Sequence, residues 1–283
     1  MSTALNSAVS GLDSYQEQMD IIGNNIANLN TVGFKSATGN LANAFSDTLQ
    51  AATAAAGNDN ATNAMQIGTG VFTGSITNDW SQGGINTTNN PSNLYINGSG
   101  FFMVQNPTTG AQYATQDGTF TLNASGYLVQ STTGMEVVGL NGTAAGPIQI
   151  NTTGMPSTSN PTSTMTSFTI NAQGVITVNL SDGTSFVRGQ VMLQNFTDPQ
   201  ALVSVGSNLY TNMGSAGGLT APIAAGSGSL VNTTIVSGAL ELSNVDLASQ
   251  MADLIVAQRA FEANSKIVTT SDEMLQTVVN MKR

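Results

Sequence analysis

The side chains that most often do chemistry are missing from this sequence, which has neither His nor Cys. Their absence removes the commonest general base, the thiol nucleophile and the imidazole and thiolate metal ligands. Sixteen carboxylates remain. Their chemistry would be that of a paired-carboxylate glycosidase, whose two acids can lie far apart in a chain. Here they fall instead on outward helical positions (Asp13, Glu17, Asp20) and in turn-forming dipeptides (Asp117-Gly118, Asp182-Gly183). Those dipeptides lack calcium-loop spacing and read as hairpin turns. Gly68-Thr69-Gly70 and Gly98-Ser99-Gly100 do not extend to a dinucleotide or P-loop fingerprint. Triplets such as Asn141-Gly142-Thr143 follow from the abundance of Asn and Thr. Met19, Met251 and Met274 stand at helical spacing and read as core or interface residues, and Trp80 is expected to be buried. The expectation is a chain with no catalytic residues, no cofactor and no metal, and hence no enzyme.

Six basic residues against sixteen acidic ones give a net charge of -10, with only 8% of residues charged. A duplex-binding protein needs a basic footprint, so no nucleic-acid partner is expected. No apolar run approaches the roughly 20 residues that span a bilayer, so membrane insertion is not expected. The first residues lack the basic and apolar regions of a cleavable secretory signal. Such a chain stays soluble or leaves the cell by a route that needs no signal.

Position must therefore come from elements. Leu5, Ala8, Leu12, Tyr15, Met19, Ile22, Ile26 and Leu29 alternate three and four residues apart, the seam of a helix that packs lengthwise on another. A lone helix of this length is marginal in water, so it requires a partner. Leu247, Leu254, Phe261, Val268 and Leu275 recur every seven residues, with Met251, Ala257, Met274 and Val278 widening the stripe. Ser243 or Asn244 can cap this helix, Asp246 suits its first turn, and Arg259, Glu262 and Lys266 can pair on its outer face. From about Val245 to Met281 it would span roughly 55 Å. The first helix is expected to stop near Asn30–Lys35, with Gly33 as a left-handed cap.

Between the helices the period changes. Residues 36–66 read as a linker or adaptable segment, with a short helix near Leu41–Leu49 and an Ala-, Thr- and Asn-rich stretch, Ala51–Ala64. From 67 to 235, short apolar runs of about four to six residues alternate with turn formers, a spacing that suits an all-β domain of sandwich or barrel type. Met155–Thr166 reads as a surface loop and Gly214–Gly228 as a return linker to the closing helical segment, 236–283. The fold class is α+β, with terminal helices forming a coiled-coil-like module around an inserted β-domain.

Two terminal motifs then carry a resemblance. Ser10-Gly11-Leu12-Asp13-Ser14-Tyr15-Gln16, Asn24-Asn25-Ile26-Ala27-Asn28 and Thr31-Val32-Gly33-Phe34-Lys35 resemble the opening signature of bacterial flagellar rod and hook proteins. Ala257-Gln258-Arg259-Ala260-Phe261-Glu262-Ala263-Asn264-Ser265-Lys266 resembles the closing one, and Asp117-Gly118-Thr119-Phe120 resembles a β-domain motif. The resemblance implies a self-assembling axial subunit: type III export, a helical homopolymer, terminal helices lining a tube, and other axial proteins (rod, hook cap, hook-filament junction proteins) as neighbours. The assembly interface would be Leu5, Leu12, Tyr15, Met19, Ile22, Ile26 and Leu29 with Leu247, Met251, Leu254, Phe261, Val268, Leu275 and Val278. Pro199–Tyr210 is more similar to the hook branch, and the chain length and Gln66–Gly70 also suit the distal rod; the sequence favours hook. A β-domain adhesin on a helical stalk is the competing class.

Overall fold

A computed structural model describes residues 2–52, 63–141, 144–152, 163–218 and 222–281. The chain divides into two units, one of residues 1–27, 36–79 and 245–283, the other of residues 28–35 and 80–244.

The first unit holds both helices, α1 (Ser2–Ala27) and α2 (Leu247–Met281). Asp246 caps α2, its carboxylate accepting from the Ala248 N–H at 3.0 Å, so the cap is neither Ser243 nor Asn244. The described residues of segment 36–66 hold strands where a linker and short helix were expected. β1 (Ala37–Asn43) pairs antiparallel with β4 (Val71–Asn78), and β2 (Ser46–Gln50) with β3 (Met65–Gly68). Half-buried and exposed residues largely alternate along β1 and give it one covered face, although its one large apolar side chain, Leu41, is exposed. α1 supplies hydrogen bonds that propensity does not reveal. Ser10 Oγ accepts from the Val71 N–H, Ser14 Oγ donates to Val71 O, and a Cβ on Gly39 would lie 2.9 Å from Ile21. Most of the stretch Ala51–Ala64 lies outside the described residues, as does most of Met155–Thr166.

The second unit is β-rich; its long stretch runs from Trp80 to Asn244, where 67 to 235 was expected, and residues 28–35 also belong to it. Its strands are β5 (Ile85–Thr87), β6 (Leu94–Asn97), β7 (Phe101–Gln105), β8 (Gln112–Thr115), β9 (Phe120–Leu122), β10 (Leu128–Gln130), β11 (Glu136–Asn141) and β12 (Ala144–Pro147). There follow β13 (Met165–Ile170), β14 (Val175–Leu180), β15 (Ser185–Gln194), β16 (Val203–Gly206), β17 (Leu209–Thr211), β18 (Ile223–Ala224), β19 (Thr234–Ser237) and β20 (Ala239–Glu241). The main sheet runs β13-β14-β15-β11-β7-β8-β17-β16, while β5 pairs β20 and β6 pairs β19. Alternation along β7 sends Phe102 and Val104 into a core with Phe120, Leu128, Ile176 and Leu193. Phe101 and Met103 point the other way, to Phe196, Leu202 and Tyr210. Trp80 is half-buried rather than buried, edge-on to Phe101 and Tyr210 at 5.2 Å from each.

Asp182-Gly183 turns the β14–β15 hairpin as expected, with Gly183 at φ 83° and the Asp182 carboxylate accepting from Thr184. Asp117-Gly118 does not form a hairpin, because β8 pairs β7 and β17 while β9 pairs β10. Asp117 is buried and accepts from the Thr119 N–H and hydroxyl and from Gln130. A Cβ on Gly118 would lie 1.7 Å from the Leu94 carbonyl oxygen. The motif packs one crossing of the chain against another.

Candidate assembly surface

In the first unit, α1 and α2 run antiparallel. Asn25 donates to Gln250 at 2.9 Å, and a Cβ on Gly11 would lie 2.7 Å from the Asn264 amide. Both pairs lie fourteen residues apart on each helix, so a single register holds throughout. Asn25 is buried and also bonds both backbone groups of Ala37, so it fixes α1 against α2 and β1 together. Sequence reasoning missed it because an Asn inside an apolar seam carries no periodic signal.

On α2 the side chains turned toward α1 are Gln250, Leu254, Ala257, Phe261, Asn264, Val268 and Ser271, all buried or half-buried at four-three spacing. Of the predicted stripe, Leu254, Ala257, Phe261 and Val268 belong to this seam. Leu247 and Met251 are exposed, and so are Leu275 and Val278. On α1, Ile22 is buried, while Leu5, Leu12, Tyr15, Met19 and Ile26 are half-buried. Leu29 lies past the end of α1 and belongs to the β-rich unit, because the helix stops at Ala27.

Two further faces of α2 complete it. Arg259 pairs with Glu262 at 2.7 Å in full solvent, an arrangement worth little. A third face carries Val256, Ile267, Met274 and Met281, all exposed and at helical spacing; of these the predicted stripe included only Met274.

In the β-rich unit, residues 28–35 form a loop rather than a helix end. Gly33, at φ 68°, caps nothing; a Cβ there would lie 2.9 Å from Gln116 O. Its N–H donates to Glu241 O at 2.9 Å, and Asn208 donates to Val32 O at 2.7 Å. Lys35 Nζ reaches Glu241 Oε1 at 2.8 Å and Ser81 O at 2.7 Å, with the two side chains 2% and 5% exposed. Glu241 Oε1 also accepts from the Gly83 N–H at 2.9 Å. Burial, and then the Glu241 carboxylate, raises the Tyr95 phenol. Among the described residues no group of three His, Cys, Asp or Glu could hold a metal, and no helix is long and apolar enough to cross a membrane.

Residues 5–35 match the family described as flagella basal body rod protein, and residues 95–178 the flagellar hook protein FlgE/F/G D1 domain. Residues 236–281 match the flagellar basal body rod FlgEFG protein C-terminal family. The chain is 38% identical to the flagellar basal-body rod protein FlgG of Bacillus subtilis, over 100% of each. It belongs to the flagellar rod and hook protein family. The FlgG protein of Caulobacter vibrioides is 32% identical over 99% of each chain. The hook protein FlgE of Escherichia coli is 31% identical over 64% of this chain and 40% of that protein. The chain is thus an axial structural subunit of the flagellum. The Lys35–Glu241 pair joins the two terminal family segments, since Lys35 closes the first and Glu241 opens the last.

Proposed function

We propose that this chain is a distal rod subunit of the flagellar basal body, exported through the type III apparatus and polymerised with itself and the adjoining axial proteins into a torque-bearing tube. The observation that supports rod over the hook favoured from sequence is coverage. Relatives named as rod proteins align end to end, whereas the alignment covers 40% of the Escherichia coli hook protein. The similarity of Pro199–Tyr210 to hook proteins is what supports the second reading, a hook subunit. In either case the α1 and α2 side chains Leu5, Leu12, Tyr15, Met19, Ile22, Ile26, Leu247, Met251, Leu254, Phe261, Val268, Leu275 and Val278 carry assembly. Those exposed in one chain lose solvent only against other copies, and a contact that does not close on itself generates a filament.

Electron microscopy of basal bodies from a deletion strain tests the choice. A rod subunit leaves particles that end before the distal rod and bear no hook, and the full chain supplied in trans restores both. Particles with a complete rod that lack only the curved hook would overturn the rod reading in favour of the hook.

A further inference from the structure

Sulfur occurs in this chain only as methionine, with twelve Met and no Cys. A two-electron oxidant that a thiol would otherwise consume therefore falls on thioether sulfur, at a rate set by exposure. The two units differ in what they offer it. In the β-rich unit Met103 is buried, and Met135, Met165, Met192 and Met213 are half-buried. Every exposed Met among the described residues belongs to the helical unit: Met65 at 56%, Met251 at 42%, Met274 at 51% and Met281 at 82%.

These four stand in ridges of apolar side chains that are exposed as well. Met251 lies one turn from both Leu247 and Ile255, and Met274 lies one turn before Val278 and two turns after Ile267. Met281 follows Met274 by two turns, and Met65 shares one side of β3 with Ile67. Oxygen added to such sulfurs leaves the packing of one chain intact. It changes only what the ridges can bury against something else.

We propose that Met65, Met251, Met274 and Met281 are sites of reversible oxidation, at which a peroxide takes the free subunit out of assembly. This rests on the assembly reading, in which exposed side chains of this unit lose solvent against other copies. The sulfur lone pair attacks one peroxide oxygen and the O–O bond breaks. The thioether is oxidised to the sulfoxide while hydrogen peroxide is reduced to water. A flexible apolar side chain thereby becomes a polar one, and Leu247, Ile255, Ile267 and Val278 beside it have no side-chain donor to offer the new oxygen. Methionine sulfoxide reductases reverse the step with electrons from a dithiol and release the oxygen as water, one enzyme for each epimer. Subunits already in a polymer are spared, because their ridges are covered.

Full-length chain treated briefly with dilute hydrogen peroxide and digested for mass spectrometry is expected to carry oxygen on the four exposed Met about tenfold more than on Met103. That chain should keep its Trp80 fluorescence and far-UV melting curves yet give about tenfold less sedimented polymer, and the two reductases should restore the yield. Met65→Leu combined with Met251→Leu, Met274→Leu and Met281→Leu conserves volume and removes the sulfur, so this chain should polymerise equally with and without peroxide. Preformed polymer should take up oxygen at the four positions about tenfold more slowly than free chain. The proposal fails, and the assembly reading stands, if the parent polymerises undiminished with all four Met oxidised, if peroxide lowers the yield of the Leu chain as much, or if polymer oxidises as fast as free subunits. If the untreated parent stays monomeric at high concentration, both fail.

Discussion

Glu241→Gln removes one charge from a pair that has almost no access to water. The ammonium of Lys35 would keep its bond to Ser81 O at 2.7 Å but would lose its counter-charge at 2.8 Å. Breaking a buried pair from one side costs about 3–5 kcal/mol, because the remaining ion stays desolvated and uncompensated. Against a total stability of about 5–15 kcal/mol this is a large fraction. For a domain of this size each kcal/mol moves the midpoint by about 2–4 °C, so the β-rich unit should melt roughly 6–20 °C lower.

The single tryptophan makes the assay specific. Trp80 packs within the β-rich unit at 5.2 Å from both Phe101 and Tyr210, so its fluorescence follows that unit's unfolding. Lys35→Met combined with Glu241→Leu separates charge from packing. That variant leaves no buried ion and should recover more than half of the loss, short of all of it because Gly83 N–H and Ser81 O forfeit partners. A Glu241→Gln chain that melts within about 2 °C of the parent would refute the cost assigned to the buried pair. A double variant no better than the single one would show that packing, not charge, is what Glu241 supplies.

Gly118→Ala should destabilise the β-rich unit by about 1–3 kcal/mol or more, since its Cβ meets the Leu94 carbonyl; Gly146→Ala, with open space around it, should leave the Trp80 melting curve unchanged. Burial pushes the Tyr210 phenol up to about 12. The unfolded chain therefore loses this proton first, and stability should fall by about 1.4 kcal/mol per pH unit between about 10 and 12, a slope that Tyr210→Phe should flatten in alkaline denaturant titrations. Ile22→Ala should cost the helical unit about 2–5 kcal/mol in far-UV melting, and Phe261→Ala less, because Phe261 is only half-buried in one chain. Both should lower the yield of sedimented polymer, and Phe261→Ala should do so out of proportion to its effect on melting.

The two helices, the inserted β-domain and the short strands were legible because each follows a simple period. What was not legible depends on hydrogen bonds and close approaches between distant residues. β1 is built from Ala, Thr, Gly and Asn around a single Leu, and it is a strand because Ser10, Ser14 and Asn25 on α1 bond this ribbon. Asp117-Gly118 has the composition of a hairpin turn, and only the nearness of Leu94 explains why it is buried instead. Lys35 and Glu241 lie at opposite ends of the sequence, and neither has a local feature that points to the other. The assembly stripe was half legible for a related reason. A seven-residue repeat identifies a helix that packs, but not which turns of it are covered by its own chain.

That distinction is made by polar side chains. Three of the seven α2 residues facing α1 are Gln250, Asn264 and Ser271, a composition that gives up apolar burial for a fixed register. A seam of Leu alone would bind more tightly and would tolerate slippage by a turn. With Asn25 held to Gln250 and Gly11 pressed on Asn264, slippage by one turn would separate both pairs and take from the buried Asn25 amide one of the two acceptors of its NH2 group. The register in turn decides what is left over: Leu275 and Val278 beyond α1, and Val256, Ile267, Met274 and Met281 on the free face. The residues that weaken the fold of one chain are thus the ones that define the surface offered to the next.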